Sequence, residues 1–319
     1  MKRREFITLL GGAIAVPAFL SPRAANAQQD GRVRRIGLLI NTVENDPAQQ
    51  TNLGVLREGL AKLGWIEATR DRPALVRSLR EFFRVGSLHY LPNVWRGLEA
   101  RYRKTPAFKS HEWALVAWLT QGEREAESIV CKPFDAAGIK ASLAEMKALS
   151  RLPGVEFVET LRKRCADLGI ALVLLPTPDG GRVCGATRWL TPDKVLVQLS
   201  LRYKTDDQLW FTFFHELGHV LLHKKNVEYI DFEKPGSKSD MEIEADEFAA
   251  GTLINQKAMA VFASAGEFTA ASVAAFAKQQ GVAAGIVVGQ LQHLKVVGFA
   301  TALNRLKKRF VWTHEQRRS

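Results

Sequence analysis

Cysteine is scarce in this chain of 319 residues: there are three, Cys131, Cys165 and Cys184. Their number is odd and no two form a CxxC pair, which excludes a disulfide framework and a cysteine-built metal site. Acidic residues are in deficit, 33 Asp+Glu against 45 Lys+Arg, for a formal charge of +12. A surplus of this sign suits anionic partners. Here it is scattered over many segments, which is the pattern of a solvated basic surface. Long apolar runs are missing too. Residues 7–20 come nearest, but Gly11, Gly12 and Pro17 interrupt them, and a spanning helix needs about 20 apolar residues. No stable membrane span is therefore expected. What is present, 46% apolar and 24% charged residues, is enough for a sizeable core and excludes a disordered or fibrous chain.

The first residues, MKRREFITLLGGAIAVPAFLSPRAANAQQ, have the parts of an export signal in order. Lys2, Arg3 and Arg4 give a basic start with a twin-arginine look, an apolar stretch follows, and Ala25-Asn26-Ala27 offers a small-residue cleavage site before Gln28. Next, RVRRIGLLINTVENDPAQQTNLGVLREGLAKLGWIE reads as a strand over 35–40, a turn at Asn45-Asp46-Pro47 and an amphipathic helix to about Leu63. Signal and βα unit together resemble the start of an exported ABC-transporter substrate-binding protein, over residues 1–67. A binding lobe of that kind needs several βα units to close its sheet, and only one is present. The expected organisation is thus a signal peptide over 1–27 and a truncated βα fragment over 28–68. A helical region over 69–150 and a further domain over 151–315 follow. The signal directs the chain to the periplasm or envelope.

LVRSLREFF, WRGLEARYRK, SHEWALVAWLTQGEREAESIV and AAGIKASLAEMKALSR each place apolar residues three to four apart, as helices do. Trp95, Trp113 and Trp118 sit at that spacing and read as core. A helix over 155–168, a buried strand in GIALVLLP, a turn at DGGRV and an alternating strand in KVLVQLSL lead to FFHELGHVLLH. Thr205-Asp206-Asp207 supplies an N-cap and first-turn negative charge for a helix over about 207–223. Histidines four apart lie about 40° from each other around a helix, so His215 and His219 can meet one cation. Glu216, roughly 100° away, can take a proton from water activated there. His223, one turn further, reads as structural, because a catalytic zinc keeps one position open for water.

A third ligand is sought in MEIEADEFAAGTLI. On a helical wheel Glu242, Ala245, Asp246, Ala249 and Leu253 share one face, while Glu244, Glu247 and Gly251 share the opposite one. Small Ala245 and Ala249 allow close packing against the HELGH helix, with room left by Gly218, so the packed face presents Glu242. Asp246 can then fix the tautomer of a ligand histidine. Glu244, the rival carboxylate, reads with Glu247 as solvated.

HELGHVLLH followed by EIEADEFAA resembles the ImmA/IrrE-type zinc metallopeptidases, outward through WFTFFHELGH and on to GIVVGQLQH. It is closest to the long HigA-like regulators. The resemblance implies an α+β fold: mostly helical, with a small sheet packed on a gluzincin-like HExxH helix, here preceded by the isolated βα unit. It implies Zn2+ held by His215, His219 and Glu242, Glu216 as catalytic base, and protein substrates of the repressor or antitoxin class. It also implies a cytoplasmic setting, against the export signal. Tyr203 and Tyr229 are candidates for steadying the oxyanion. Two departures stand out: Leu253-Ile254-Asn255 where the family usually runs to LIP, and the βα fragment in place of a DNA-binding domain. The other functional reading is a DNA-binding, antitoxin-like transcriptional regulator with a non-catalytic metal site. AAFAKQQGVAAGIVVGQLQH has helix-turn-helix spacing about Gly281, but Gln290, Gln292 and His293 are poor company for phosphates without Arg or Lys. Nucleic acid is therefore not expected as a partner, and the pair reads as helices closing the peptidase domain. NRLKKRF reads as a solvated basic end.

Overall fold

The computed structural model describes residues 72–87, 112–177, 183–224, 229–232 and 239–312. The signal-like segment, the βα stretch, Trp95 and WRGLEARYRK lie outside them. Within them the protein is α+β, mostly helical with one small mixed sheet.

Among the described residues three helices come first, α1 (Arg72–Phe83), α2 (Glu112–Ser128) and α3 (Ala136–Ala148). The last is capped by the Asp135 carboxylate, which accepts from Gly138 N at 2.9 Å. Helix α4 (Phe157–Asp167) then feeds β1 (Ile170–Leu174) through Gly169, whose φ of +83° suits the residue without a Cβ. Next come β2 (Val183–Thr191), β3 (Lys194–Leu199), α5 (Asp206–Leu222) and β4 (Tyr229–Phe232). After it come α6 (Asp240–Leu253), α7 (Gln256–Ser264), α8 (Ala270–Gln280), α9 (Ala284–His293) and a 3-10 turn, Ala302–Leu306. The sequence suggested two strands in this part of the chain. The sheet has four, in the order β1-β3-β2-β4. β1 runs parallel to β3, whereas β2 is antiparallel to both of its neighbours.

Alternation along the strands gives the sheet two buried faces. Ile170, Leu172, Val195, Val197 and Leu199 join a core that includes Leu209, Phe213, Phe214 and Leu217 of α5. Ala171, Val173, Val183, Ala186 and Leu196 face the other way, onto Leu79 and Phe82 of α1 and Val116 and Trp118 of α2. Trp118 is fully buried, and its indole N–H donates to Leu175 O at 3.0 Å. Gln198, buried on that same side, donates to Trp118 O at 2.8 Å across Gly122, where a Cβ would collide with it. Arg188 of β2 pairs with Glu123 of α2. Helices from the stretch 72–128 and the HELGH helix therefore cover opposite faces of the same strands.

NRLKKRF is not a solvated end. Lys307 Nζ lies 2.6 Å from Asp207 Oδ2 and 2.7 Å from Gln292 Oε1, and Lys308 Nζ donates to Ser150 O and Leu152 O. Asp206 N donates to Lys308 O at 3.0 Å, Lys308 N returns to Asp206 Oδ1, and Phe310 N donates to Lys204 O. Residues 307–310 thus form a strap over the start of α5. Asp206 and Asp207 are buried beneath it, because Gly285 and Gly289 of α9 leave them space that a Cβ would fill. Burial, and then the charge of Asp207, push the Asp206 carboxyl up to about 6.

Helices α8 and α9 meet at 104°. Gly281 makes the corner with φ +72°, and Thr269 and Ser272 form a capping box at the start of α8. Gln290 and Gln292 are buried, and Gln292 donates to Asn304 Oδ1 at 3.0 Å. Two of the three side chains that a recognition helix would offer to bases are thus turned into the fold, while His293 is exposed. Among the described residues no single helix is long and apolar enough to cross a membrane.

Candidate metal centre

Helix α5 is flanked by Thr205 as N-cap residue and His223 as C-cap residue. Nine apolar residues among its seventeen place it between the sheet and α6, so His215, Glu216 and His219 are all essentially buried. His215 Nε2 and His219 Nε2 approach to 3.0 Å. The third donor comes from α6. Ser239 caps that helix by accepting from Glu242 N at 3.3 Å, which puts Glu242 in the first turn. Gly218 lets the two helices close up: a Cβ there would stand 3.1 Å from Ala245 Cα. Glu242 Oε2 then lies 3.3 Å from His215 Nε2, and Oε1 lies 3.6 Å from His219 Nε2. One donor atom from each of His215, His219 and Glu242 falls within 4.8 Å of the other two.

These three residues form a group that could hold a metal ion, and the donor chemistry fits one. Two imidazoles and a carboxylate are a known ligand set for catalytic zinc. Burial, reinforced by the neighbouring His215, pushes His219 down to about 3, so its ring is neutral at neutral pH, the form that ligates a cation. Burial raises the Glu242 carboxyl, but the hydrogen bond from His215 and the charge of that ring outweigh this and hold it below its usual range. On the outer side, His215 Nδ1 is 2.9 Å from Asp246 Oδ1, a contact that holds the ring's orientation.

Glu216, one position after His215, is held against the sheet at β2. The Thr187 hydroxyl donates to its Oε2 at 2.6 Å, and a Cβ on Gly185 would fall 2.3 Å from its Oε1. Both residues belong to β2, the strand that the sequence did not disclose. The available signal was Gly185 itself, since a glycine inside a strand often marks a close approach by another group.

Glu244 is exposed, as the wheel suggested, but it is engaged: its Oε2 lies 2.9 Å from His223 Nε2. His223 in turn has its Nδ1 2.9 Å from His219 Nδ1. Glu247 is exposed too. Tyr203 lies between β3 and α5, exposed, with the Arg202 guanidinium 5.4 Å over its ring. Tyr229 opens β4. Asn255, the departure from the expected LIP, caps α7 with its side chain by accepting from Ala258 N at 3.0 Å.

Residues 186–284 match the peptidase M78 family model, described as the IrrE N-terminal-like domain. The match starts inside β2, ends at the first residue of α9 and spans the whole of α5 and α6. It supports the likeness to ImmA/IrrE-type peptidases and points to a metallopeptidase with a protein substrate. No curated protein matches the chain.

Proposed function

We propose that the protein is a zinc-dependent endopeptidase that cuts regulatory proteins of the repressor or antitoxin class. The observation that carries the reading is the convergence of His215 Nε2, His219 Nε2 and a Glu242 oxygen on one point, with Glu216 beside them on the same helix. A bound zinc would supply Lewis acidity toward a water molecule and the scissile carbonyl. Glu216 takes the proton from the attacking water and delivers it to the leaving amine nitrogen, so one carboxylate serves as base and then as acid. Thr187 steadies the carboxylate during both transfers by holding Oε2. Asp246 keeps the His215 hydrogen on Nδ1, leaving Nε2 bare for the metal. The substrate class comes from the family resemblance and is the part of the reading that a co-encoded regulator would test.

The experiment pairs metal content with turnover. Glu216→Gln should retain zinc and lose peptide cleavage by about 10²–10⁴-fold, the span for a lost general acid–base group. Glu242→Gln should lose zinc, far more than Glu244→Gln does. A Glu216→Gln protein cleaving at the parental rate would remove the base assignment, and retention of full metal by Glu242→Gln would remove the ligand set.

A further inference from the structure

We infer that His223 and Glu244 form a relay that positions the metal ligand His219, so that this ligand is held from outside the site by a carboxylate at the protein surface. The inference rests on the zinc reading above and concerns residues that the reading does not use. Hydrogen placement leads to it. A ring nitrogen that meets a metal carries no hydrogen, so a neutral His219 facing the site with Nε2 carries its hydrogen on Nδ1. That Nδ1–H donates to His223 Nδ1, 2.9 Å away, which must be bare to accept it. A neutral His223 then carries its hydrogen on Nε2, and this nitrogen lies 2.9 Å from Glu244 Oε2, an acceptor. One assignment therefore satisfies every nitrogen in the series.

The backbone enforces the same order. His223 closes α5 one turn after His219, and its N–H donates to His219 O at 3.3 Å. Its side chain is 5% exposed, while that of Glu244 is 58% exposed, so the relay runs from the buried ligand to the surface. Helix α6 then provides three carboxylates at alternate positions with three tasks: Glu242 to the metal, Asp246 directly behind His215, and Glu244 behind His219 through His223. The bland reading of the Glu244–His223 pair is an ordinary surface contact, and such contacts contribute little to anything. The two readings differ in what they predict for the metal.

The test measures zinc affinity of the full chain by competition with a chromogenic chelator, with a cobalt(II) absorption spectrum as second readout. Glu244→Ala should weaken zinc binding about 10-fold, the lower end for loss of an outer-shell partner, and shift the cobalt bands without changing the stoichiometry. Because Glu244 is largely exposed, this variant should keep the thermal stability of the metal-free parent. Glu244→Gln retains an acceptor oxygen and should keep most of the affinity. Glu247→Ala, an exposed carboxylate on the same helix, should bind like the parent. His223→Ala should weaken binding about 10- to 100-fold, and adding Glu244→Ala to it should change nothing more, since both act through one path. Parental affinity in Glu244→Ala, or an undiminished Glu244→Ala effect in the His223→Ala background, overturns the relay. If zinc falls in Glu242→Gln while Glu244→Ala is unaffected, the relay alone is lost. If parent and Glu242→Gln both lack zinc, the metal reading falls and the relay falls with it.

Discussion

At the scale of single residues the centre depends on groups that do no chemistry. Gly185 is the sharpest case. Adding one methyl there puts a carbon only 2.3 Å from Glu216 Oε1. Glu216 is the end of a flexible side chain, so it can swing aside cheaply while the fold stays intact. Gly185→Ala is therefore expected to keep its zinc and its melting temperature to within a few degrees, while cleavage falls about 10²-fold or more as the base leaves its place. Parental turnover in that variant, measured beside its metal content, would show that Glu216 works from another rotamer. Thr187→Val, which removes the hydroxyl at 2.6 Å, should act in the same direction, and Thr187→Ser should restore much of the rate. Sequence disclosed the half of this arrangement that is local. His215 and His219 meet because positions four apart on a helix meet, and Glu242 parts from Glu244 because positions two apart do not share a face. Gly185 and Thr187 sit about 30 positions before Glu216 in the chain, and no periodicity links them to it.

At the scale of elements the start of α5 holds the least expected balance. Asp206 and Asp207 read as first-turn negative charge; the fold encloses both beneath α9 and the strap, with Lys307 paired to Asp207 and the charge of Lys308 acting on Asp206. An acid whose folded value is raised favours the protonated folded state. Stability is thus greatest below the unfolded value near 4 and falls as pH climbs through the folded value of about 6. Asp206→Asn removes that titration while keeping an acceptor for the Lys308 N–H. The variant should match the parent in chemical denaturation at pH 4 and exceed it at pH 7, by up to about 3 kcal/mol. An Asp206→Asn protein less stable than the parent at pH 7 would mean that the charge is used by the strap or by the helix dipole. Strand β2 escaped notice for a related reason. VCGATRWLT mixes polar and small residues on faces that become buried only once α2 and α5 are in place, whereas Ile170–Leu174 and Lys194–Leu199 carry their apolar character openly. The strap's lysines gave no sign of their burial, since nothing local to NRLKKRF indicates two carboxylates about 100 positions earlier.

At the scale of the whole molecule, the boundary recognised by family likeness and the boundary needed for folding differ. The likeness covers 186–284. Outside it lie β1, the beginning of β2, nearly all of α9, the strap and the α1 and α2 cover of the far sheet face. A fragment cut at the matched limits would expose Leu196 on one side and leave Asp206 and Asp207 without Lys307, Lys308 or their glycine-lined shelter. Its expected behaviour is aggregation or a loosely packed state that binds a hydrophobic dye, whereas residues 72–312 should give a cooperative unfolding transition. A well-folded, zinc-binding 186–284 fragment would contradict this. The strap adds a consequence in time. Lys308 reaches back across 158 positions to Ser150 and 102 to Asp206, and contacts of such separation close late and slowly. During synthesis the ligand helix is therefore complete, with both histidines aligned, well before the residues that clamp its first turn have left the ribosome. In that interval the nascent chain displays a half-anchored helix with apolar flanks, and its dependence on chaperones should be concentrated there.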